Sequence, residues 1–154
     1  MEIKEDNFNY SNLKERIKDY SHQDKVRCGI YCSELVIDIY ESNYDSKSSR
    51  FAIEAAKDWV KSPTEDNSKA AYDAAEDASI AAIFAGCDAA SLAAFSAAYA
   101  AYAAYYYSHD SASASADAAF FASCAASAAV YAAEAGGENV KFKIISWFRN
   151  NDKK

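Results

Sequence analysis

The chain has 154 residues and a formal net charge of −7, and 51% of its residues are hydrophobic. A single proline and four glycines argue against a loop-rich or all-β protein. The acidic balance argues against direct nucleic-acid binding, because phosphate recognition needs a basic surface. The length fits one domain over residues 1–154, and we expect residues 1–10 to be a loose N-terminal arm and residues 151–154 a loose tail.

Helix-forming segments follow one another along the whole chain. We expect Ser11 to cap the first helix, Pro63 to stop the third and Gly136–Gly137 to end the sixth. The second helix carries apolar residues on more than one face, which indicates a central and largely buried helix. The first five predicted helices cover about residues 12–20, 23–43, 49–61, 64–86 and 88–107. The sixth follows a break at 108–113 and ends at 135, and the seventh covers about 138–150.

Alanine dominates residues 70–135, where it occupies thirty-one of sixty-six positions and where no Lys or Arg occurs. Alanine is the best helix former, and its small side chain lets helices approach closely. The carboxylates of this segment make any exposed part of it acidic. We therefore expect an all-α, single-domain bundle of about six to seven closely packed Ala-rich helices.

A heptad-like spacing of bulky residues runs through the fifth predicted helix. The residues follow at intervals of three and four, which is typical of a helix seam, and they are Leu92, Phe95, Tyr99, Tyr102 and Tyr106. Because each buried alanine methyl contributes only about 0.8 kcal/mol, the aromatic side chains must supply much of the burial energy. Some of the twelve tyrosines should still lie at the rim, where their hydroxyls find partners.

No segment has the pattern of a membrane anchor. The N-terminus lacks a charged-then-apolar leader, and the uncharged run at 89–109 consists mostly of Ala, Ser and Tyr, which insert weakly. We expect no membrane contact and a cytoplasmic location. The four cysteines are then reduced thiols, and buried small hydrophobes are the better interpretation of the Cys28–Cys32 pair.

Catalytic and cofactor-binding patterns are sparse. The sequence holds only two histidines, no phosphate-binding Gly-rich loop and no second cysteine pair, so we expect no enzyme activity, no cofactor and no metal. Asp73 and Asp77 lie one helical turn apart. They favour a solvated acidic face or a partner-binding face over a metal or acid–base pair, which would need ligands from other helices.

One segment, within residues 28–61, contains two short motifs. The first is a Cys-x-Glu element at Cys32, Ser33 and Glu34. The second consists of Arg50, Ala52, Ile53, Glu54, Ala55, Ala56 and Trp59. With these motifs the segment resembles the opening of an Ala-rich, all-α immunity-protein family of bacterial polymorphic-toxin systems, the immunity-protein-five-like group. The resemblance implies an all-α protein that neutralises a toxin.

A structural role for these motif residues is also expected. Glu34 and Arg50 are candidates for an ion pair between the second and third predicted helices, and Trp59 for a core anchor. Direct contact of the motif with a partner is the alternative interpretation.

The charge pattern and the resemblance lead to one functional hypothesis. The protein is expected to occlude a basic protein partner, a toxin or nuclease, without chemistry and with tyrosines as anchors. The candidate partner-binding residues are Asp73, Glu76, Asp77, Asp88, Asp110, Tyr72 and Tyr105. Two alternatives remain open: a phage- or plasmid-encoded inhibitor of a host defence nuclease, and a structural α-protein that self-associates as a homo-oligomer.

Overall fold

The structure is a computed structural model that describes residues 2–86, 89–105 and 111–152, the last range without the side chains of 111–116. Within these ranges the chain forms α-helices and one short 3-10 turn, Glu5–Asn7, and no strand. The expected all-α fold is confirmed, but the described residues form eight α-helices where about six to seven were expected. The helices are α1 (Tyr10–Ile17), α2 (His22–Glu34), α3 (Ile37–Glu41), α4 (Ser48–Lys61), α5 (Glu65–Ala85), α6 (Ala89–Tyr105), α7 (Ser111–Ala135) and α8 (Lys141–Asn151).

Helix α6 is the centre of the bundle. It packs against α2, α3, α4, α5 and α7, and its alanines and serines are buried on almost every side. Helix α2 is largely buried as well, as expected. Because the buried side chains of α6 are small, its five neighbouring helices can approach the α6 axis closely.

Glycine and serine bring α2 against α6 and α7. A Cβ atom on Gly29 would lie 3.2 Å from the Cα atom of Ala100 and 3.7 Å from the Cβ atom of Ala125. One turn later the hydroxyls of Ser33 and Ser96 are 3.0 Å apart, and Ser96 donates to the carbonyl of Ala125 at 2.9 Å. The three helices therefore meet through small residues whose polar atoms are satisfied.

Helix α5 buries a ridge of alanines along one side. The ridge residues recur at intervals of four and three, and they are Ala71, Ala75, Ala78, Ala82 and Ala85. The Thr64 side chain accepts a hydrogen bond from the backbone N–H of Asn67 at the start of α5, and Gly86 ends α5 with a φ of 86°, which favours glycine. These limits agree with the predicted fourth helix.

Two predicted boundaries are wrong. The predicted second helix is interrupted between α2 and α3 at Val36, whose φ of −129° lies outside the helical range. Val36 and Ile37 are both buried, so packing of α3 onto α6 overrides the helix preference of the sequence. The first helix starts earlier than predicted, because Asn9, not Ser11, accepts the capping hydrogen bond from the N–H of Asn12.

The chain ends are more closely packed than expected. Ile3 is buried and Phe8 packs against the core, so the described part of residues 1–10 is not a loose arm. Within the predicted tail, Asp152 forms an ion pair with Arg16 and accepts a hydrogen bond from the Tyr20 hydroxyl at 2.5 Å. Lys153 and Lys154 lie outside the described residues.

One described segment, Asp117–Ala135 of α7, is long and apolar enough to cross a membrane by length and composition. Its most apolar window is 61% buried against the other helices. A core helix of a bundle meets the same criteria.

Candidate functional site

The predicted acidic residues of α5 lie on its outer side. Asp73, Glu76 and Asp77 are all exposed, opposite the buried alanine ridge. Asp88 and Asp110, which were expected to join them, lie outside the described residues. The structure therefore brings together three of the five predicted carboxylates.

These carboxylates have few cationic neighbours. The Nζ atom of Lys69 lies 3.4 Å from an Asp73 oxygen, one turn away on the exposed surface. Glu76 accepts a hydrogen bond from the Tyr102 hydroxyl of α6. No Lys or Arg among the described residues lies within ion-pairing distance of Glu76 or Asp77, so most of this negative charge is uncompensated.

The two predicted tyrosine anchors belong to a cluster between α5 and α6. The rings of Tyr72 and Tyr105 have centroids 4.5 Å apart, and those of Tyr72 and Tyr102 are 5.9 Å apart. All three tyrosines are half-buried. Burial and the hydrogen bond to Glu76 raise the pKa of Tyr102 to about 12, so its phenol remains a hydrogen-bond donor at neutral pH. The cluster supports the acidic surface from one side.

Large apolar side chains continue the acidic stripe towards the end of α5. Ile80, Ile83 and Phe84 are 51%, 67% and 84% exposed. Residues at i, i+4, i+7 and i+11 lie along one face of a helix, so Asp73, Asp77, Ile80 and Phe84 form a single stripe. We call the surface formed by Asp73, Glu76, Asp77, Ile80, Ile83 and Phe84, with Phe51 of α4, the α5 face.

Phe51 joins the α5 face across a shallow groove. This groove of about 620 Å³ lies between the start of α4 and the outer side of α5, and it is lined by Phe51, Asp73, Asp77 and Ile80 and by the exposed cation Lys47. The Phe51 side chain is 64% exposed. Carboxylates and exposed apolar groups therefore border one depression.

The apolar half of the α5 face was missed by the sequence reasoning, although a signal for it exists. The alanine ridge repeats every four and three residues, as the buried side of a helix does. Bulky residues on the side of the helix opposite this ridge must point away from the core. Ile80, Ile83 and Phe84 stand at such positions.

The residues that match the family motif lie partly in the core and partly on the surface. Cys32, Ile53 and Trp59 are buried in the core, which is the position expected of Trp59 as a core anchor. Glu54 is exposed and pairs with Lys57 at 2.9 Å.

The predicted Glu34–Arg50 ion pair is wrong. The Arg50 guanidinium donates to both carboxylate oxygens of Glu41, at 3.0 and 2.7 Å, and Glu34 instead pairs with Lys57 at 2.6 Å. The break at Val36 separates the helix that carries Glu34 from the one that carries Glu41, and it is Glu41 that lies beside Arg50. The hydrogen bond with Arg50 lowers the pKa of Glu41.

An apolar cleft of about 360 Å³ lies on another side of the bundle, between the N-terminal segment, α6 and α7. Leu92, Phe95 and Tyr99 line it and are only half-buried, so the predicted seam of bulky residues is a rim. Alanines make the fully buried helix contacts of α6, and Tyr99 and Tyr102 add partly buried ring contacts with Phe121 of α7. Tyr106, the last residue of the predicted seam, lies outside the described residues.

The chemistry available in this cleft is limited. Cys124 lines it, and burial raises the pKa of the Cys124 thiol. A thiol that stays protonated is a poor nucleophile. Elsewhere in the described part of the chain, no three His, Cys, Asp or Glu side chains gather as they would around a metal ion.

Comparisons with known proteins add no relative. No protein-family model, no curated protein and no solved structure matched the chain. The resemblance of residues 28–61 to an immunity-protein family therefore remains a prediction from motif residues.

Proposed function

We propose that this protein is an acidic, non-catalytic binding protein that neutralises a bacterial protein toxin by covering its basic functional surface. The observation that supports the proposal is the α5 face, on which three exposed carboxylates have a single lysine, Lys69, as ion-pair partner among the described residues. Such a surface attracts a basic protein and speeds its association. Toxins that act on nucleic acids need basic surfaces to bind phosphates.

The proposal needs no chemistry in this chain. Occlusion requires only a stable surface in a fixed shape, and α5 is held by its buried alanine ridge and by the tyrosine cluster that joins it to α6. The thiols of Cys28, Cys32 and Cys124 are unpaired, which suits a reducing cytoplasm. We place the protein there, where it would meet a toxin made by or delivered to the cell.

The test starts from the native cell's lysate. Tagged wild-type protein and the variant Asp73→Lys/Glu76→Lys/Asp77→Lys capture partners in parallel, and Glu138→Gln, an exposed carboxylate away from α5, serves as the control. We expect one basic protein in stoichiometric amount with wild type and Glu138→Gln, and much less with the triple variant.

A growth assay then decides what the captured protein is. Its expression alone should arrest a heterologous bacterium, and co-expression of the wild-type chain should restore growth while the triple variant does not. A captured component of a host defence nuclease would instead support the alternative of a phage- or plasmid-encoded inhibitor. Recovery of the chain alone, with a mass that rises with concentration, would support self-association and overturn the proposal.

A further inference from the structure

The apolar half of the α5 face is too exposed to be part of this chain's own core. Ile83 and Phe84 project from the side of α5 opposite the buried alanine ridge. Neither they nor Ile80 can reach the interior without turning α5 about its axis and exposing the ridge. Contiguous exposed apolar groups on a water-facing helix mark an interaction surface.

The neighbouring charges restrict what can cover this surface. A purely apolar partner would bury Asp77, which has no ion-pair partner among the described residues, and would bury Asp73 with only the exposed Lys69 as its partner. Lys47 lines the same groove but forms no ion pair with either carboxylate, and an unpaired buried charge is strongly unfavourable. The surface of an anionic membrane would be repelled by the same carboxylates, as would nucleic acid. The occupant must bring positive charge together with apolar side chains.

A second copy of the chain does not meet this requirement. Two α5 helices in parallel would place the carboxylates of one copy against those of the other. In the antiparallel arrangement, the carboxylates of each copy would cover Ile80 and Phe84 of the other and lose their water. Each copy would bring only Lys47 and Lys69, among its described residues, to this surface, and both already lie beside that copy's own carboxylates.

We infer that the α5 face binds an amphipathic helix of a protein partner, with two or more large apolar side chains on one stripe and Lys or Arg at the end that meets the carboxylates. The stripe from Asp73 to Phe84 covers eleven helical steps, about 16 Å, so about three turns of partner helix span it. The groove beside Phe51 receives one flank of that helix. The inference rests on the proposed function only in taking the α5 face to be a protein-binding surface.

The partner's cations and anchors have separate places. Asp73 and Asp77 lie one turn apart and suit Lys or Arg side chains spaced by one turn on the partner. Phe51 and Ile80 line the groove where a large apolar anchor is buried, and Phe84 lies one turn beyond Ile80 for a second anchor. Burial of such an anchor supplies most of the affinity, and the charges set orientation and association rate.

The test uses two synthetic helical peptides and isotope-labelled protein. One peptide has a leucine stripe beside lysines, and the other has glutamine in place of every leucine, so that charge and helix preference stay the same. Amide shifts in a two-dimensional NMR titration report where each peptide binds. We expect the lysine–leucine peptide to shift residues 73–85 and the start of α4, and to bind at least about tenfold more tightly than the lysine–glutamine peptide.

Variants separate the two halves of the face. Ile80→Ser/Phe84→Ser should weaken binding of the lysine–leucine peptide by about tenfold or more. The variant should stay folded because both side chains are exposed. Phe142→Ser is the matched control: this side chain on α8 is 52% exposed and should have no effect. Asp73→Asn/Asp77→Asn should weaken the binding of both peptides and make that binding less sensitive to salt.

Three results would overturn the inference. They are equal binding of the two peptides, shifts centred on the cleft between α6 and α7, and dimerisation of the protein through α5 without peptide. None of them decides the proposed function, which depends on capture and growth rescue. Conversely, a captured partner that is not toxic would end the proposed function and leave the chemistry of the α5 face as inferred.

Discussion

The α5 face and the region around α8 use their charged residues differently. We call the residues whose ion pairs join α8 and the segment after it to the rest of the chain the α8 end. These pairs are Lys141–Glu134 at 2.9 Å, Arg149–Glu2 at 3.4 Å and Arg16–Asp152. On the α5 face, by contrast, only Asp73 has an ion-pair partner among the described residues.

This difference separates charges that serve the fold from charges that remain available to a partner. Paired charges at the α8 end attach the two chain termini to the bundle. On the α5 face only Glu76 bonds to another helix in the described part of the chain, through the hydrogen bond from Tyr102. Asp73 and Asp77 make no contact of this kind there, and their mutual repulsion slightly opposes folding. Substitutions at the α8 end should therefore change stability, and substitutions on the α5 face should change binding.

The largest expected effect is on association. Asp73→Lys/Glu76→Lys/Asp77→Lys should weaken binding to the captured partner by about 10- to 100-fold, mostly through a slower association rate, because steering by the acidic surface is reversed. Surface plasmon resonance at low and moderate salt measures this change. Because Glu76→Lys also removes the hydrogen bond from Tyr102, chemical denaturation should show a folded protein that has lost about 1 kcal/mol of stability. Unaltered association kinetics at low salt would contradict the assignment of this face.

A smaller effect is expected from the α8 end. Asp152→Ala removes the ion pair with Arg16 and the hydrogen bond from Tyr20, and should lower the free energy of unfolding by about 1–2 kcal/mol. Urea denaturation measures it, and partner binding should not change. If Asp152→Ala lost partner binding and kept its stability, the α8 end would bind the partner, which contradicts the account.

The Arg50–Glu41 pair should contribute about 1 kcal/mol, a value reduced for the partial exposure of the arginine. Arg50→Met keeps much of the aliphatic stem and removes the charge-assisted bonds between α4 and α3. The pKa of Glu41 is lowered in the folded protein, so the pair stabilises the fold above the unfolded-state pKa, about 4.3. This contribution is lost as the pH falls through the folded-state pKa.

Urea denaturation of wild type and Arg50→Met from neutral pH to about pH 3 tests this pH dependence. The stability gap between the two proteins should be widest at neutral pH and should narrow below the ordinary glutamate pKa. A gap that stays constant over the whole range would show that packing, and not the ion pair, accounts for the effect of Arg50.

The smallest expected effect is that of removing Lys69, the ion-pair partner of Asp73 on α5. Lys69→Ala removes the cation beside Asp73, and because the pair is exposed, stability should change by less than about 0.5 kcal/mol. Binding of a basic partner should become slightly tighter, since one repulsive charge is gone. Isothermal titration calorimetry detects the change, and weaker binding would mean that Lys69 itself contacts the partner.

The parts of the fold that follow from local signals were predictable. Thr64 and Gly86 mark the limits of α5, and Pro63 follows α4 closely, because capping and stop signals act through neighbouring residues. The break at Val36 has no glycine or proline to mark it. It depends on the packing of α3 against α6, which is not visible in the sequence of α3 itself.

The candidate site was predictable in part for the same reason. The exposed acidic residues Asp73, Glu76 and Asp77 follow from charge and helical spacing. The bulky residues were assigned to a seam because large apolar side chains usually form the core. In this protein alanine takes that place, so Leu92 and Tyr99 line an open cleft and Phe84 projects into solvent.

Hydrogen exchange of the chain with and without its captured partner tests the central claim most directly. If the α5 face binds the partner, backbone exchange should slow in residues 73–85 and around Phe51, while the α8 end exchanges at its unbound rate. Protection centred on the cleft between α6 and α7, or on α8, with α5 unaffected, would contradict the account.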